Sequence, residues 1–384
     1  FLLDKVYFNE LAAPALPDGD SYLQYARGYL AAETLFNPAF GYTQSLERDA
    51  TGAYVIDPET GYPARLADAV SVATGNLDLR LATIQTARNS SISLLGPGGD
   101  AILGSVVRTS AQAARLAYQP QILGLNGQVA RPTATTSLTL PVLGVPLGYE
   151  GILTLRGGGI NSFTDGDLRL NQSRLFTQQS GDIIAWSSNG DLNAGQGPKS
   201  AGSVPPIVLR FNPNGGTEVD AAGGVVGAGI AGFAGLLRLN PLTGQFELID
   251  ATNDPDGAAA FALLAGQDET VEAVVNGKTY RRDRPSITLV APAGTIDAGD
   301  AGVRAAGDIF VAAESFANSD SFSSEGGISG IGGVTVVAAT PASAASAAVA
   351  NVFQAEQAST TDQRSRISVD VLGVYNFNDR CVDA

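Results

Sequence analysis

The chain has 384 residues, and 38 acidic against 23 basic side chains give a formal net charge of −15. Such a surface is soluble but repels nucleic-acid backbones and anionic lipid, so neither is an expected partner. There is no histidine and a single cysteine, Cys381, which removes the commonest general base, the commonest metal ligand, any Ser-His-Asp triad and any intrachain disulfide.

Charged residues make up only 16% and glycine contributes 46 positions, a balance that suits many short strands and tight turns better than a helical bundle. The opening Phe1-Leu2-Leu3-Asp4-Lys5 has no signal-peptide pattern, and methionine is absent, so the chain reads as a piece of something longer. No apolar run approaches the roughly 20 residues of a membrane helix, so no direct membrane span is expected.

From the N-terminus, Ser21 to Asn37 places Tyr22, Tyr25, Ala26, Tyr29 and Leu30 at helical spacing, with Asp20 or Ser21 as cap and Asn37-Pro38 as stop. Turn-rich sequence follows, such as Asp57-Pro58-Glu59-Thr60-Gly61. Near Leu77 the period changes to that of a strand: Leu77, Leu79 and Leu81 alternate with Asp78 and Arg80. A unit of glycine, usually aspartate, and a short alternating apolar run then recurs. It starts at Gly166, Gly181, Gly190, Gly294 and Gly307. Glycine supplies a permissive backbone, and the aspartate is expected to make a local turn hydrogen bond of about 1 kcal/mol. Recurrence at uneven spacing predicts an all-β chain built as a right-handed parallel β-helix (solenoid), with a small helical N-terminal lead-in and an inserted loop region; an ordinary β-sandwich with Gly-Asp turns is the alternative. Leu168, Leu170, Ile183, Ala185, Leu192, Ile296, Ile309 and Val311 should point inward.

Between Gly202 and Pro285 the pattern lapses, apart from a hairpin-like stretch from Leu239 to Leu248. Ser321 to Gly333 is Ser/Gly-rich, Pro341 to Ala358 is Ala/Ser-rich, and Ser365 to Val374 alternates as a last strand. The expected division is therefore a helical and loop lead-in over 1–75, β-helix over 76–201, an insertion with a hairpin over 202–286, β-helix over 287–340, and a linker with a final strand over 341–384. The lead-in and the strand Ile367 to Val374 are the available end caps.

Several motifs read better as structure than as chemistry. Val225-Val226-Gly227-Ala228-Gly229-Ile230-Ala231-Gly232 spells GxGxxG, and Glu247 lies 20 residues beyond Gly227. The flanking strand and helix of a dinucleotide site are missing, which leaves a Gly/Ala-rich packing loop. Asp250, Asp254 and Asp256 miss the spacing of a calcium loop and read as an exposed turn. Arg281-Arg282-Asp283-Arg284 is the one dense basic spot and reads as a solvated turn. Asp297 and Asp300 are the candidate carboxylates for a polysaccharide-cleaving groove, although aspartate in such turns mostly braces backbone. Trp186 reads as packed or half-exposed on its strand. No catalytic, cofactor-binding or metal-binding residue is assigned, and no cofactor is expected.

Gly181-Asp182-Ile183-Ile184-Ala185-Trp186-Ser187-Ser188-Asn189-Gly190-Asp191-Leu192-Asn193-Ala194-Gly195 and Ile287 through Gly302 resemble the C-terminal domain of filamentous haemagglutinin family exoproteins. Ile92 to Asp100 and the run from the Ala-rich linker to Gly373 support the likeness. The resemblance implies a non-enzymatic structural or adhesive region of a large secreted protein, displayed at the outer cell surface of a Gram-negative bacterium. Its partners would be host or neighbouring-cell surface glycans or proteins, or other subunits of a surface assembly. Two other readings stand beside it. The Tyr22, Tyr25 and Tyr29 stripe fits an accessory or capping subunit of a larger surface or membrane-associated assembly, and the carboxylates fit a β-helix polysaccharide-cleaving enzyme.

Overall fold

The computed structural model describes residues 2–17, 23–69, 71–72, 75–80, 82–86, 89–104, 122–123, 129–130, 150–196, 202–203, 208–211, 217–220, 225–250 and 254–331. Strands dominate, and the longer helices among the described residues are α1 (Leu2–Ala12), α2 (Ala26–Leu35) and α3 (Gly257–Leu263). None is long and apolar enough to cross a membrane.

The strands fall into three parallel stacks, which the chain visits in the same order on each pass. The first stack takes Ile92–Gly96, Ile160–Thr164, Ile183–Ser187, the start of Ile287–Asp297, the start of Ile309–Ala317, and Ile328–Ser329. The second takes Leu77–Leu79, Ala101–Leu103, Leu168–Arg169, Leu192–Asn193 and the ends of the same two long strands. These long strands join the two stacks into a 10-stranded sheet. The third is a 6-stranded sheet of Thr83–Thr86, Gly151–Thr154, Arg174–Thr177, Gly229–Gly232, Val303–Ala305 and Phe322–Ser324.

Register turns the period-2 pattern into columns of like side chains. In the first stack Ile92, Ile160, Ile183, Ile287, Ile309 and Ile328 lie side by side across successive strands. The second aligns Leu77, Ala101, Leu168, Leu192, Ile296 and Phe316. The third aligns Ile84, Ile152, Leu175, Ile230, Val303 and Phe322. All three columns meet in one core. All eight residues expected to face inward are buried there, and each such Leu or Ile contributes about 1.5–3 kcal/mol relative to exposure.

Several stretches behave differently from their composition. Gly229–Gly232, the end of the GxGxxG stretch, is a strand of the third stack and not a loop. Ile230 alone supplies its inward side chain, and Gly229 sits at φ +95° where a Cβ would meet the Gly302 carbonyl at 2.3 Å. The Ser/Gly-rich run carries the strands Phe322–Ser324 and Ile328–Ser329, because neighbours already in place make two or three residues enough. The basic spot is mostly strand: Lys278–Asp283 belongs to an antiparallel four-stranded module with Gly235–Leu239, Phe246–Ile249 and Glu272–Val275. The expected hairpin is its first half. Helix α3 covers one face of the module, packing Ala260 and Leu264 against Leu236 and Tyr280.

Asn37-Pro38 does end α2, and the Asn37 side chain accepts from the Ala39 amide at 2.9 Å. Tyr25, with no side-chain cap, precedes that helix, while Asp20 and Ser21 lie outside the described residues. Helix α1 had no counterpart in the sequence reading. The lead-in does not cap an end of the stacks. It lies across the outward side of the first one, where Phe163, Trp186, Val290 and Ala312 are apolar and need cover. The strand expected at Ile367 to Val374, Tyr22 and Cys381 also lie outside the described residues.

Candidate binding surface

Each stack presents an outward face, and the three differ in chemistry. On the first, Tyr7, Phe8, Leu11, Tyr29 and Leu46 of the lead-in pack onto Phe163, Trp186, Val290 and Ala312. Trp186 is fully buried. Its indole N–H donates to Ser188 Oγ at 2.8 Å, and the Tyr29 ring meets it edge-on at 5.4 Å. The Tyr29 hydroxyl donates to the Ser188 carbonyl at 2.6 Å, and burial pushes its acidity well out of the physiological range. A Cβ on Gly28 would lie 2.4 Å from Trp186 Cη2, so only glycine lets α2 come this close. Two buried carboxylates fasten the same seam. Asp165 accepts from Thr43 Oγ1 at 2.7 Å, from Asn189 Nδ2 at 2.9 Å and from Ser71 Oγ. Glu33 accepts the amides of Ser45 and Leu46 at 2.8 Å and pairs with Arg48 at 2.8 Å. The gap left between lead-in and sheet is about 10 Å³, room for one water at most.

The third stack's outward face is also largely buried. Leu153, Leu155, Phe176 and Ala231 form a small apolar cluster with Phe233 against it. Arg304 lies over the Phe176 ring, 5.9 Å from its centroid, and donates to the Ala228 carbonyl at 3.2 Å. Burial lowers its pKa from the ordinary guanidinium value.

The second stack's outward face is polar and open. Asp167, Arg169, Gln172, Asp191, Asn193 and Gln196 line a shallow groove of about 240 Å³ floored by Asn171 and Gly195. The floor follows from the bend that ends each pass through this stack. Gly104, Asn171, Gly195, Gly299 and Asn318 all adopt positive φ, between 51° and 90°, at the same corner. A Cβ on Gly195 would stand 2.0 Å from the Asn171 carbonyl, so glycine is required where the passes approach. Side chains tie the passes together beneath the groove. Asn171 Nδ2 donates to the carbonyls of Leu103 and Gly104, and Asn193 Nδ2 donates to Asp297 Oδ2 at 3.0 Å.

The Gly-Asp turns brace differently from the local bond that the sequence suggests. Asp100 Oδ1 accepts the Asp167 amide at 2.9 Å, Asp167 Oδ1 accepts the Asp191 amide at 2.7 Å, and Asp191 Oδ1 accepts the Thr295 amide at 2.7 Å. Asn76 opens this ladder on the Asp100 amide at 3.1 Å. A second ladder runs along the opposite corner of the first stack. Asp182 accepts from the Ser286 amide at 2.8 Å, Ser286 Oγ from the Asp308 amide at 3.2 Å, and Asp308 from the Gly327 amide at 2.7 Å. Each carboxylate thus bonds the following pass, 19 to 104 residues away.

The remaining candidates are held by structural partners. Asp254 pairs with Arg238 at 2.5 Å and accepts from Tyr280 at 3.1 Å, Asp256 pairs with Lys278 at 2.7 Å, and Asp250 pairs with Arg156 at 2.7 Å. They brace the inserted module and do not form an empty exposed turn. Arg282 is buried against Glu325 at 2.6 Å, Arg281 lies over the Phe246 ring at 4.3 Å, and Arg284 donates to the Ala306 carbonyl at 2.8 Å. The Arg282 and Arg284 contacts tie the module to the stacks and the Arg281 contact packs within the module, so Arg281-Arg282-Asp283-Arg284 is not a solvated turn. Asp297 spends its oxygens on the Gly299 amide and on Asn193 and Asn318, while Asp300 is exposed in the next turn. Glu247 sits on the hairpin beside Asn240, away from any phosphate loop.

Residues 180–336 match the model of a family described as filamentous haemagglutinin family outer membrane protein. The chain carries a filamentous haemagglutinin family region. No curated protein and no solved structure matches the chain. The haemagglutinin-family region begins one residue before Gly181 and takes in the module and the later passes. The groove straddles its boundary. Asp191, Asn193 and Gln196 lie inside the matched region, whereas Asp167, Arg169 and Gln172 lie upstream. The sequence reading identified the strands Gly166 to Leu170 and Gly190 to Gly195 by their inward residues. The groove belongs to the alternate positions and to the corners between strands, and the alternation itself was the available signal for it.

Proposed function

We propose that this chain is a structural and adhesive part of a secreted cell-surface protein, with the polar face of the second stack as its contact surface. In this reading the three stacks form a right-handed parallel β-helix, the hand expected of parallel crossovers. The haemagglutinin-family match supports a surface location at the outer membrane and a non-enzymatic role. The single observation that carries the adhesive assignment is the contrast between faces. Two outward faces are closed over by apolar packing, and the third offers an open row of carboxylate, amide and guanidinium groups. An open polar face makes many individually weak hydrogen bonds, which suits adhesion by repeated contact.

The accessory-subunit reading rested on a free tyrosine stripe, and Tyr29 is spent on the chain's own Trp186. The cleaving-enzyme reading rested on Asp297 with Asp300, and Asp297 acts as a corner brace. The test is retention of beads carrying the full chain on cultured cell layers. A triple variant, R169A with Q172A and Q196A, should lose most of the retention while melting like the parent. Unchanged retention would remove the groove from the contact surface.

A further inference from the structure

The inserted module carries a reactive dipeptide whose setting differs from that of its counterpart in the stacks. Val275 pairs with Lys278, so Asn276-Gly277 is the whole of a two-residue hairpin turn. Both residues are exposed and take positive φ, 48° and 77°, the geometry for which this dipeptide is favoured. A Cβ on Gly277 would meet nothing within 4 Å, and among the described residues its amide makes no backbone hydrogen bond. Neither a neighbour nor a bond therefore keeps that nitrogen from the Asn276 side-chain carbonyl. Asn189-Gly190 is the same dipeptide in a locked setting. Asn189 Nδ2 donates to the buried Asp165 carboxylate at 2.9 Å, and the Gly190 amide donates to Ser187 Oγ at 3.1 Å. A Cβ on Gly190 would stand 2.4 Å from Asp167 Oδ1, so the space beside it is filled.

One carboxylate holds the exposed pair. Asp256 Oδ1 accepts from Asn276 Nδ2 at 2.7 Å, and its Oδ2 accepts from Lys278 Nζ at 2.7 Å. Asp256 immediately precedes α3, whose Ala260 and Leu264 close the module core. We propose that Asn276 is a self-modification site, which cyclises onto the Gly277 amide, hydrolyses to a carboxylate and thereby loosens α3 from the module. In this step the Gly277 nitrogen gives its proton to solvent and bonds to Asn276 Cγ, and the side-chain nitrogen leaves as ammonia. Water then opens the cyclic imide at either carbonyl, giving aspartate or isoaspartate. Lys278 does not compete as nucleophile, because its hydrogen bond to Asp256 raises its pKa and keeps it protonated. The product replaces a donor to Asp256 by a second carboxylate, and like charges at that distance repel. Isoaspartate also lengthens the main chain of a turn whose register leaves room for only two residues. The inference is independent of the adhesive reading.

The experiment holds the full chain at mildly alkaline pH and follows each asparagine by peptide mass spectrometry, with hydrogen exchange read on the same samples. Asn189 can react only in locally opened molecules, so Asn276 should convert at least about tenfold faster. Exchange of α3 should rise several-fold in step with that conversion, while Ile183–Ser187 stays protected. Asn276→Asp supplies the product charge from the start, and its α3 should exchange as in the aged parent. Adding Asp256→Asn to that variant swaps donor and acceptor and should restore most of the protection. Asn189 converting as fast as Asn276 would overturn the reactive site. Exchange of α3 in Asn276→Asp equal to that of the fresh parent would overturn its consequence for the module.

Discussion

The first and second stacks share one sheet and face outward with opposite chemistry. Strand residues of the same two long segments contribute to both. In Ile287–Asp297, Val290 is buried beneath the lead-in, whereas Asp297 braces a polar corner. The inner side is alike in both, a column of apolar residues, so the inner columns do not decide which outward face is covered. Cover is decided by the outward positions alone. Phe163, Trp186, Val290 and Ala312 make an apolar strip that would stand exposed without α1 and α2. Asp167, Arg169, Asp191 and Asn193 make a polar strip whose side chains bond one another and the next pass. One set of inner columns thus carries a closed flank for stability and an open flank for contact.

The sharpest way to break this contrast is to uncover the closed flank. Trp186→Ala removes the largest fully buried side chain and should cost about 3–5 kcal/mol, read by denaturant melts. Gly28→Val should act in the same direction by driving a side chain into that indole. Both variants should make α2, Ala26–Leu35, cleavable by trypsin at Arg27 at concentrations that leave the parent intact. A W186A chain that melts like the parent would show that the lead-in is fastened elsewhere. Next in size is the ladder. Asp191→Ala deprives the Thr295 amide of its acceptor and should cost about 1–2 kcal/mol, while Asp191→Asn should cost much less. Equal melts for the two variants would mean that the rung carries no stability.

The inner columns were legible because alternation survives any loop length: Gly181 to Trp186 and Gly307 to Ala312 announce the same strand without knowledge of what lies between. The short strands were not. Gly229–Gly232 has one large apolar side chain, an alanine and two glycines, and its structure comes from Arg174–Thr177 and Val303–Ala305 on either side. Propensity cannot reveal a strand whose stability is supplied by neighbours distant in sequence. Helix α1 was missed because Leu2–Ala12 mixes apolar and polar positions, and its role appears only once the Trp186 strip is seen to need cover. The groove joins residues 167–172 with 191–196, two segments made adjacent by register alone.

The inserted module offers a comparison of intermediate size, because ion pairs brace it where columns brace the stacks. Burial opposes ionisation of Asp254, but the Asp256 amide, the Tyr280 hydroxyl, Lys278 and Arg238 together hold its carboxyl below the usual range. A depressed folded pKa gives stability that is present above the unfolded value of 3.8 and is lost as pH falls through the folded one. Acidification below about pH 4 should therefore loosen the module before the stacks. The measurement is hydrogen exchange of Lys278–Asp283 against Ile183–Ser187. Simultaneous exchange of both strands at pH 3 would contradict it.

The smallest expected effect has the opposite sign and lies where module and stacks meet. Burial raises the pKa of Asp182, the Ser286 amide offsets part of that, and the charge of Asp283 adds to the rise. A raised folded pKa means that the ionised form is disfavoured in the fold. Stability from this group is therefore fullest below the unfolded value and declines as pH climbs through the folded one. Asp182→Asn keeps an oxygen for the Ser286 amide and removes the penalised charge. The variant should melt slightly higher than the parent at pH 7 and no higher at pH 3, a gain of a few tenths of a kcal/mol to about 1 kcal/mol. That rung joins Ile183–Ser187 to the strand that resumes after the module, so the gain should appear in the stacks and leave module exchange unchanged. A lower melting point at pH 7 would show that the charge itself, through the Ser286 hydrogen bond, is worth more than its burial costs.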